Sequence, residues 1–154
     1  MPAKNNKDMK SIFDQSTRDE LKGRIQSLDA NSPAQWGKMN ISQMMRHCTK
    51  WDEMALGKTT YKQSFIGRLF GKTALKDMMK DEPMKKNLPT VPSFKVKEHI
   101  NIDDEKIKWL RLLNEYEHYS GNGFIHPFFG MMSKEQTGYM LYKHIDHHLR
   151  QFNV

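Results

Sequence analysis

The C-terminal segment carries the pattern that most restricts what this chain can fold into. Apolar residues recur there at helical spacing, and Ser133 followed by Gln136 is a capping-box signature for a helix that runs to about Phe152. His144 and His148 fall on or beside this apolar stripe. Because they are four residues apart, their Cβ atoms should lie roughly 5–6 Å apart on one helix face. Since unpartnered buried imidazoles are costly, the fold must supply a partner for both rings.

A third histidine occupies a similar position on an earlier helix. Asn40 followed by Gln43 predicts the start of that helix, and His47 lies beside its apolar stripe. Three imidazoles that face one core can close on a divalent cation and leave a coordination position open. The spacing leaves two alternatives, hydrogen-bonded core histidines or a metal site. The candidate metal ligands are His47, His144 and His148.

The rest of the sequence predicts an all-α fold. Ser16 is the expected N-cap of a first helix, and Asp103 and Asp104 precede a third main helix. No segment shows a strong strand-like alternation. The prediction is therefore a single domain over residues 1–154, a four-helix bundle with residues 1–14 as a mobile tail. A long connection with two short helices would join the second and third main helices.

Positive charge is concentrated in that connection, between residues 58 and 98. This segment holds ten basic and four acidic residues, a net +6 out of a formal charge of +7 for the chain. Such a patch can attract nucleic acid, an anionic membrane or an acidic substrate. Charge runs are more often solvated faces, so we favour a solvated connector and rank nucleic-acid binding last among the functions considered.

The remaining composition predicts a cytoplasmic protein. Cys48 is the only cysteine, the N-terminus lacks a secretory signal, and no apolar run approaches the roughly 18–20 residues that span a bilayer. Cys48 is expected to be a small core residue rather than a nucleophile. Methionine occurs 12 times, which is typical of an adaptable core or interface, and a homodimer is left open.

The other histidines have weaker indications. His147 lies at the edge of the inward face, where it is the best candidate for a catalytic proton carrier near bound water. Its alternative is a half-exposed ring that packs on a neighbour. His126 and His118 can also approach the site, although His126 is expected to anchor the turn before the last helix. His99 has no predicted role.

Four stretches resemble the DinB/YfiT-like superfamily of metalloenzymes, and most closely a bacterial branch of it known as a domain of unknown function. They are WGKM (36–39), QMMRHC (43–48), HPFFG (126–130) and KHIDHHLRQF (143–152). The resemblance covers residues 15 to 153. It implies a four-helix bundle with a divalent metal, nickel or zinc, held by the residues that match His47, His144 and His148.

The resemblance also bears on activity. Some superfamily members are transferases or isomerases that act with bacillithiol, mycothiol or glutathione, and others are linked to stress responses. Our first hypothesis is a metal-dependent thiol S-transferase or hydrolase that acts on a small-molecule substrate, because three neutral imidazoles leave the metal's full charge to acidify bound water or a low-molecular-weight thiol. The alternative is a non-catalytic metal-binding or stress-response module.

Overall fold

A computed structural model of the protein describes residues 9–154. That part of the chain is mostly helical and contains a small two-stranded sheet. The helices are α1 (Gln15–Gln26), α2 (Ile41–Ala55), α3 (Phe65–Met78), α4 (Ile102–Glu115) and α5 (Lys134–Gln151), and the strands are β1 (Gly123–His126) and β2 (Gly130–Ser133). Short 3₁₀ turns lie at Pro92–Phe94 and Tyr116–His118.

Four of these helices surround a common core. Helix α2 packs on α4 and α5, and α1 packs on the same two helices. The core between them is apolar, and its fully buried members include Leu21, Met44, Trp109, Leu113 and Leu149. The burial of these side chains is the main stabilising contribution to such a helical assembly. It places α2 beside α5, which are the two helices that carry the candidate ligands.

The predicted capping boxes are confirmed at both of those helices. At α2, the Gln43 backbone N–H donates to Asn40 Oδ1 (2.9 Å) and the Asn40 N–H donates to Gln43 Oε1 (3.0 Å). At α5, Gln136 N–H donates to Ser133 Oγ (3.2 Å), and Ser133 N–H donates to Gln136 Oε1 (2.9 Å). Each box satisfies two backbone donors that the first helical turn leaves free. Local sequence therefore defines where both ligand-bearing helices begin.

The start of the first helix differs from the prediction. Asp14, rather than Ser16, is the residue that precedes the helix. Residues 1–8 of the predicted tail lie outside the described residues. Its remaining part includes Ile12, which is fully buried and whose N–H donates to the Gly138 carbonyl (3.0 Å). This contact attaches the segment before α1 to α5.

A β-hairpin stands where the sequence predicted only a turn. Strands β1 and β2 pair antiparallel, with Phe124 opposite Met132. The prediction that no strand occurs is wrong here because each strand has four residues, too few for an alternation pattern to be recognised. Gly123 and Gly130 adopt positive φ values of 115° and 76° at the starts of the two strands, a conformation that glycine adopts without steric cost.

Residues 65–78 form one continuous helix instead of the two short helices expected. Helix α3 runs through Gly67 and Gly71, which lie against the hairpin turn at Phe128. A Cβ atom would come within 2.5 Å of the Phe128 carbonyl oxygen at Gly67 and within 2.1 Å at Gly71. The glycines are therefore needed for this close approach, and they do not interrupt the helix.

No helix in residues 9–154 has the length and apolar character needed to cross a bilayer.

The buried carboxyl group of Asp52 links α2 to α4. Trp109 Nε1 donates to Asp52 Oδ2 (2.9 Å), and the Tyr116 hydroxyl donates to Oδ1 (2.7 Å). Burial raises the pKa of Asp52 to about 7, although both hydrogen bonds oppose this shift. Asp52 lies on the same helix as His47, so this link also positions the first candidate ligand.

We expect an Asp52→Asn variant to lose one component of the pH dependence of folding. In the wild type the folded-state pKa of about 7 exceeds the reference value of 3.8. The neutral carboxyl thus stabilises the fold at low pH, and this stability is lost as pH rises from about 4 to about 7, by roughly 1.4 kcal/mol per pKa unit. The free energy of unfolding of the variant, relative to wild type, should therefore rise over that range.

Urea unfolding at about pH 4 and about pH 8 measures this difference. An Asp29→Asn variant is the matched control because Asp29 is exposed. Identical pH profiles for Asp52→Asn and wild type would show that the folded-state pKa of Asp52 is not raised.

Candidate metal centre

The three predicted ligands meet between α2 and α5. His47 comes from α2, and His144 and His148 come from α5. One ring nitrogen of each lies within 4.8 Å of the other two. The ring centroids are 4.9 Å apart for His47 and His144, 4.8 Å for His47 and His148, and 4.7 Å for His144 and His148. Three buried histidines thus lie close enough to hold a metal ion.

One pair of nitrogens already approaches the separation expected of ligands to a common cation. His47 Nε2 lies 2.9 Å from His144 Nε2. Two nitrogens bound tetrahedrally at about 2.0–2.1 Å from one metal would be about 3.3 Å apart. Binding of an ion would open this pair by a few tenths of an ångström and would require nitrogens separated by up to 4.8 Å to move closer together. Without an ion, this distance requires that one of the two nitrogens carry a proton.

Hydrogen bonds on the outer side of the cluster orient two of the rings. His148 Nδ1–H donates to Gln151 Oε1 (2.8 Å), and His47 Nδ1–H points to the Phe94 carbonyl at 3.4 Å. Gln151 Nε2 in turn donates to the Trp36 carbonyl (2.9 Å). Since these oxygens only accept, the proton of each neutral ring lies on Nδ1, and Nε2 keeps a free lone pair.

His144 is held by stacking rather than by such a bond. Its ring lies on Trp51 with centroids 4.2 Å apart and planes at 19°. Its Nδ1 is buried and has no hydrogen-bond partner among the described residues. In the metal-free cluster, the proton of His144 belongs on Nε2, where it is shared with His47. A cation would displace this proton to Nδ1.

Burial keeps the three rings neutral. Burial is the main cause that lowers the pKa of His47 to about 4 and that of His148 to about 3, and the charge of a protonated His47 is the second cause at His148. The pKa of His144 is held well below its usual value by burial and then by the neighbouring histidines. Neutral imidazole is the form that binds metals, and the three rings have this form at neutral pH.

His126 has the anchoring role that the sequence predicted, and a second feature that it did not. Its Nδ1 accepts the backbone N–H groups of Phe128 (3.0 Å) and Phe129 (3.1 Å), which confirms that it holds the hairpin turn. The ring proton must then lie on Nε2, which is buried and has no partner in the described part of the chain. Because the ring contacts Trp51 at 4.5 Å between centroids, this N–H belongs to the same aromatic cluster as His144.

The remaining candidates lie outside the cluster. His147 is half-buried against the edge of Trp36 and against His148, with centroids 5.5 and 5.1 Å apart, which is the packing role given as its alternative. Its catalytic role stays a prediction. His99 and His118 are exposed. Cys48 is fully buried, and burial raises the pKa of its thiol, as expected of a core residue.

Sequence reasoning missed the groups that orient the ligands. Gln151 lies three residues after His148, a helical spacing that places the two side chains together, so this partner was recognisable. The carbonyl of Phe94 comes from a distant segment, and so does His126, whose Nε2–H has no partner among residues 9–154. No local pattern indicates either of them.

A family model described as a protein of unknown function, DUF1569, matches residues 8–154. No curated protein and no solved structure matches the chain.

We expect the metal-free protein to lose stability as the pH falls. The folded-state pKa values of about 4 for His47 and about 3 for His148 lie below the reference of 6.5. The stability from their neutral forms is therefore present above about pH 6.5 and is lost towards about pH 4, on the order of 1.4 kcal/mol per pH unit for each ring. Unfolding in urea with a chelator present measures this slope.

A His148→Gln variant should have a shallower pH dependence than wild type because glutamine does not titrate. His118→Gln is the matched control, since His118 is exposed. Equal slopes in all three proteins would contradict the burial of a neutral His148.

Proposed function

Since the chain belongs to the DUF1569 family, whose description assigns no function, we propose its function from the site: a divalent-metal-dependent enzyme with His47, His144 and His148 as ligands. The fold would be a four-helix bundle of DinB/YfiT type, with the hairpin and α3 as additions to it. The metal would be nickel or zinc, and the reaction a thiol-dependent transfer or a hydrolysis on a small molecule. The observation that carries this proposal is the convergence of three neutral, buried ring nitrogens.

The number of ligands supports catalysis over a closed structural site. Structural zinc sites have four protein ligands, whereas catalytic ones have three and leave a position for water or substrate. Within residues 9–154 the cluster contains three ligands, and neither His147 nor His118 joins it. Nitrogen ligands of this kind suit zinc and nickel. Bound there, the ion would supply Lewis-acid activation of a water or thiol.

The surroundings of the cluster supply binding groups of their own. Trp51 and Phe94 form aromatic walls that contact both the ligands and His126. Burial lowers the pKa of His126 to about 3, so the ring is neutral at working pH and carries a single proton. That proton lies on Nε2 because Nδ1 accepts two backbone N–H groups. We assign it to a hydrogen bond with an acceptor atom of the substrate. His147 remains a proposed proton carrier.

The burial of the ligands favours the second candidate function. The exposed fractions of His47, His144 and His148 are 5%, 3% and 7%. Such enclosure is also expected of a metal that only stabilises a fold, as in a non-catalytic metal-binding or stress-response module. Variants of single ligands separate the two candidates because a structural metal contributes folding free energy directly.

Protein purified without an affinity tag should bind about one equivalent of zinc or nickel per chain. His144→Ala and His148→Ala should each lose the metal and remain folded, as judged by metal analysis and circular dichroism. His99→Ala is the matched control because His99 is exposed. Unfolding of both ligand variants would favour the structural module, and retention of full metal content would refute the site.

Activity should then be measured on the metal-loaded protein. Low-molecular-weight thiols paired with electrophiles, and simple ester and amide substrates, should give turnover that His144→Ala lacks. No turnover across several metals, in protein that binds them stoichiometrically, would favour the non-catalytic module.

Two variants separate the anchoring and donor roles of His126. The Asn side chain of His126→Asn retains an acceptor near the position of Nδ1 and lacks the outer N–H. His126→Gln retains a donor near Nε2 and lacks the inner acceptor. We expect His126→Asn to keep its thermal stability and metal content and to lose about tenfold in kcat/KM, the effect of about one hydrogen bond. His126→Gln should instead unfold at lower temperature. Full activity in His126→Asn would refute the donor role.

A further inference from the structure

Helix α3 exposes a cluster of large apolar side chains. The exposed fractions are 74% for Phe65, 61% for Ile66, 60% for Leu69 and 60% for Phe70. We refer to these four residues as the outer face of α3. Single exposed apolar residues are ordinary on protein surfaces, but four within six positions of one helix mark an interaction surface.

The opposite side of the helix holds it to the protein. Gly67, Gly71 and Leu75 are its buried residues, and the two glycines lie against the backbone of Phe128. At the C-terminal end, the Lys143 ammonium donates to the Met78 carbonyl (2.7 Å) and to the Lys80 carbonyl (2.8 Å). At Gly67 and Gly71 the helix lies so close to the backbone of Phe128 that there is no room for a Cβ atom. Rotating the helix would bring side chains into this contact, so its outer face cannot be buried in that way.

Basic residues border this face. At 100° per residue, Arg68 and Lys72 lie along one flank of it, and Lys76 lies in line with Leu69 towards the C-terminal end. No acidic residue occurs between residues 58 and 76. The first acid beyond is Asp77, which pairs with Lys80 at 2.6 Å. The outer face therefore combines apolar side chains with an excess of positive charge.

The positive charge distinguishes between two candidate binding partners of this face, a second copy of the chain and an anionic membrane. If a second copy packed its α3 antiparallel on the first, each flank would meet its own equivalent, and Arg68 and Lys72 would face the same residues of the other copy. An anionic surface has no such repulsion. Phenylalanine and leucine on one side with flanking lysine and arginine are typical of helices that lie in the headgroup region of a membrane.

We propose that the outer face of α3 binds the surface of an anionic phospholipid membrane. Phe65, Ile66, Leu69 and Phe70 enter the boundary between headgroups and acyl chains, while Arg68, Lys72 and Lys76 contact lipid phosphates. The three candidate metal ligands, His47, His144 and His148, take no part in this contact. The inference is therefore independent of the proposed function.

Vesicle co-sedimentation of the full chain tests the proposal. We expect binding to vesicles of phosphatidylcholine with phosphatidylglycerol, weaker binding at higher salt, and little binding to phosphatidylcholine alone. A Phe65→Ser/Leu69→Ser double variant should lose at least tenfold in affinity, and Arg68→Glu/Lys72→Glu should lose at least as much. Ile107→Ser is the matched control because Ile107 is 67% exposed on α4.

Three results would overturn the proposal. They are no binding to anionic vesicles, equal binding to neutral ones, and unchanged binding by the Phe65→Ser/Leu69→Ser variant. Sedimentation velocity without lipid adds a fourth: a dimer that this double variant converts to monomer would assign the face to contact between copies. Thermal unfolding and metal content of all variants should equal those of wild type, which separates this test from that of the metal site.

Discussion

The candidate metal centre depends on burying three neutral imidazoles against one another. A buried ring nitrogen that has neither a hydrogen-bond partner nor a cation is costly, and among residues 9–154 Nδ1 of His144 has no such partner. Gln151 and the Phe94 carbonyl satisfy the outer nitrogens of His148 and His47, and the inner nitrogens face each other. The arrangement has fewer protons than lone pairs at its centre. That imbalance is the physical reason to expect a cation there.

Helix α2 connects this centre to the rest of the fold. His47 reaches α5, Trp51 stacks on His144, and Asp52 accepts hydrogen bonds from α4 and from the 3₁₀ turn that follows it. Three residues within six positions thus set the position of α2 relative to the elements around it. Burial favours the neutral form of two groups on this helix. It lowers the pKa of His47 and raises that of Asp52.

The basic connector between α2 and α4 has two roles that composition did not separate. Its 3₁₀ turn brings the Phe94 carbonyl and ring against His47, so part of the connector belongs to the core. Helix α3 instead directs its largest apolar side chains outward. The interpretation of residues 58–98 as a solvated connector therefore describes the lysines, but it omits the four apolar residues among them.

Periodicity and caps were sufficient to predict where α2 and α5 begin and which three histidines face inward, because both depend on residues within one or two helical turns. The sequence also indicated that His126 anchors a turn. The hairpin, the continuous α3, the Phe94 contact and the unpaired N–H of His126 were decided only by the tertiary structure. The hairpin is local, and its four-residue strands are too short to show an alternation pattern. The others depend on segments far apart in the chain, because the close approach of α3 to Phe128 or the burial of a ring nitrogen exists only once those segments have packed.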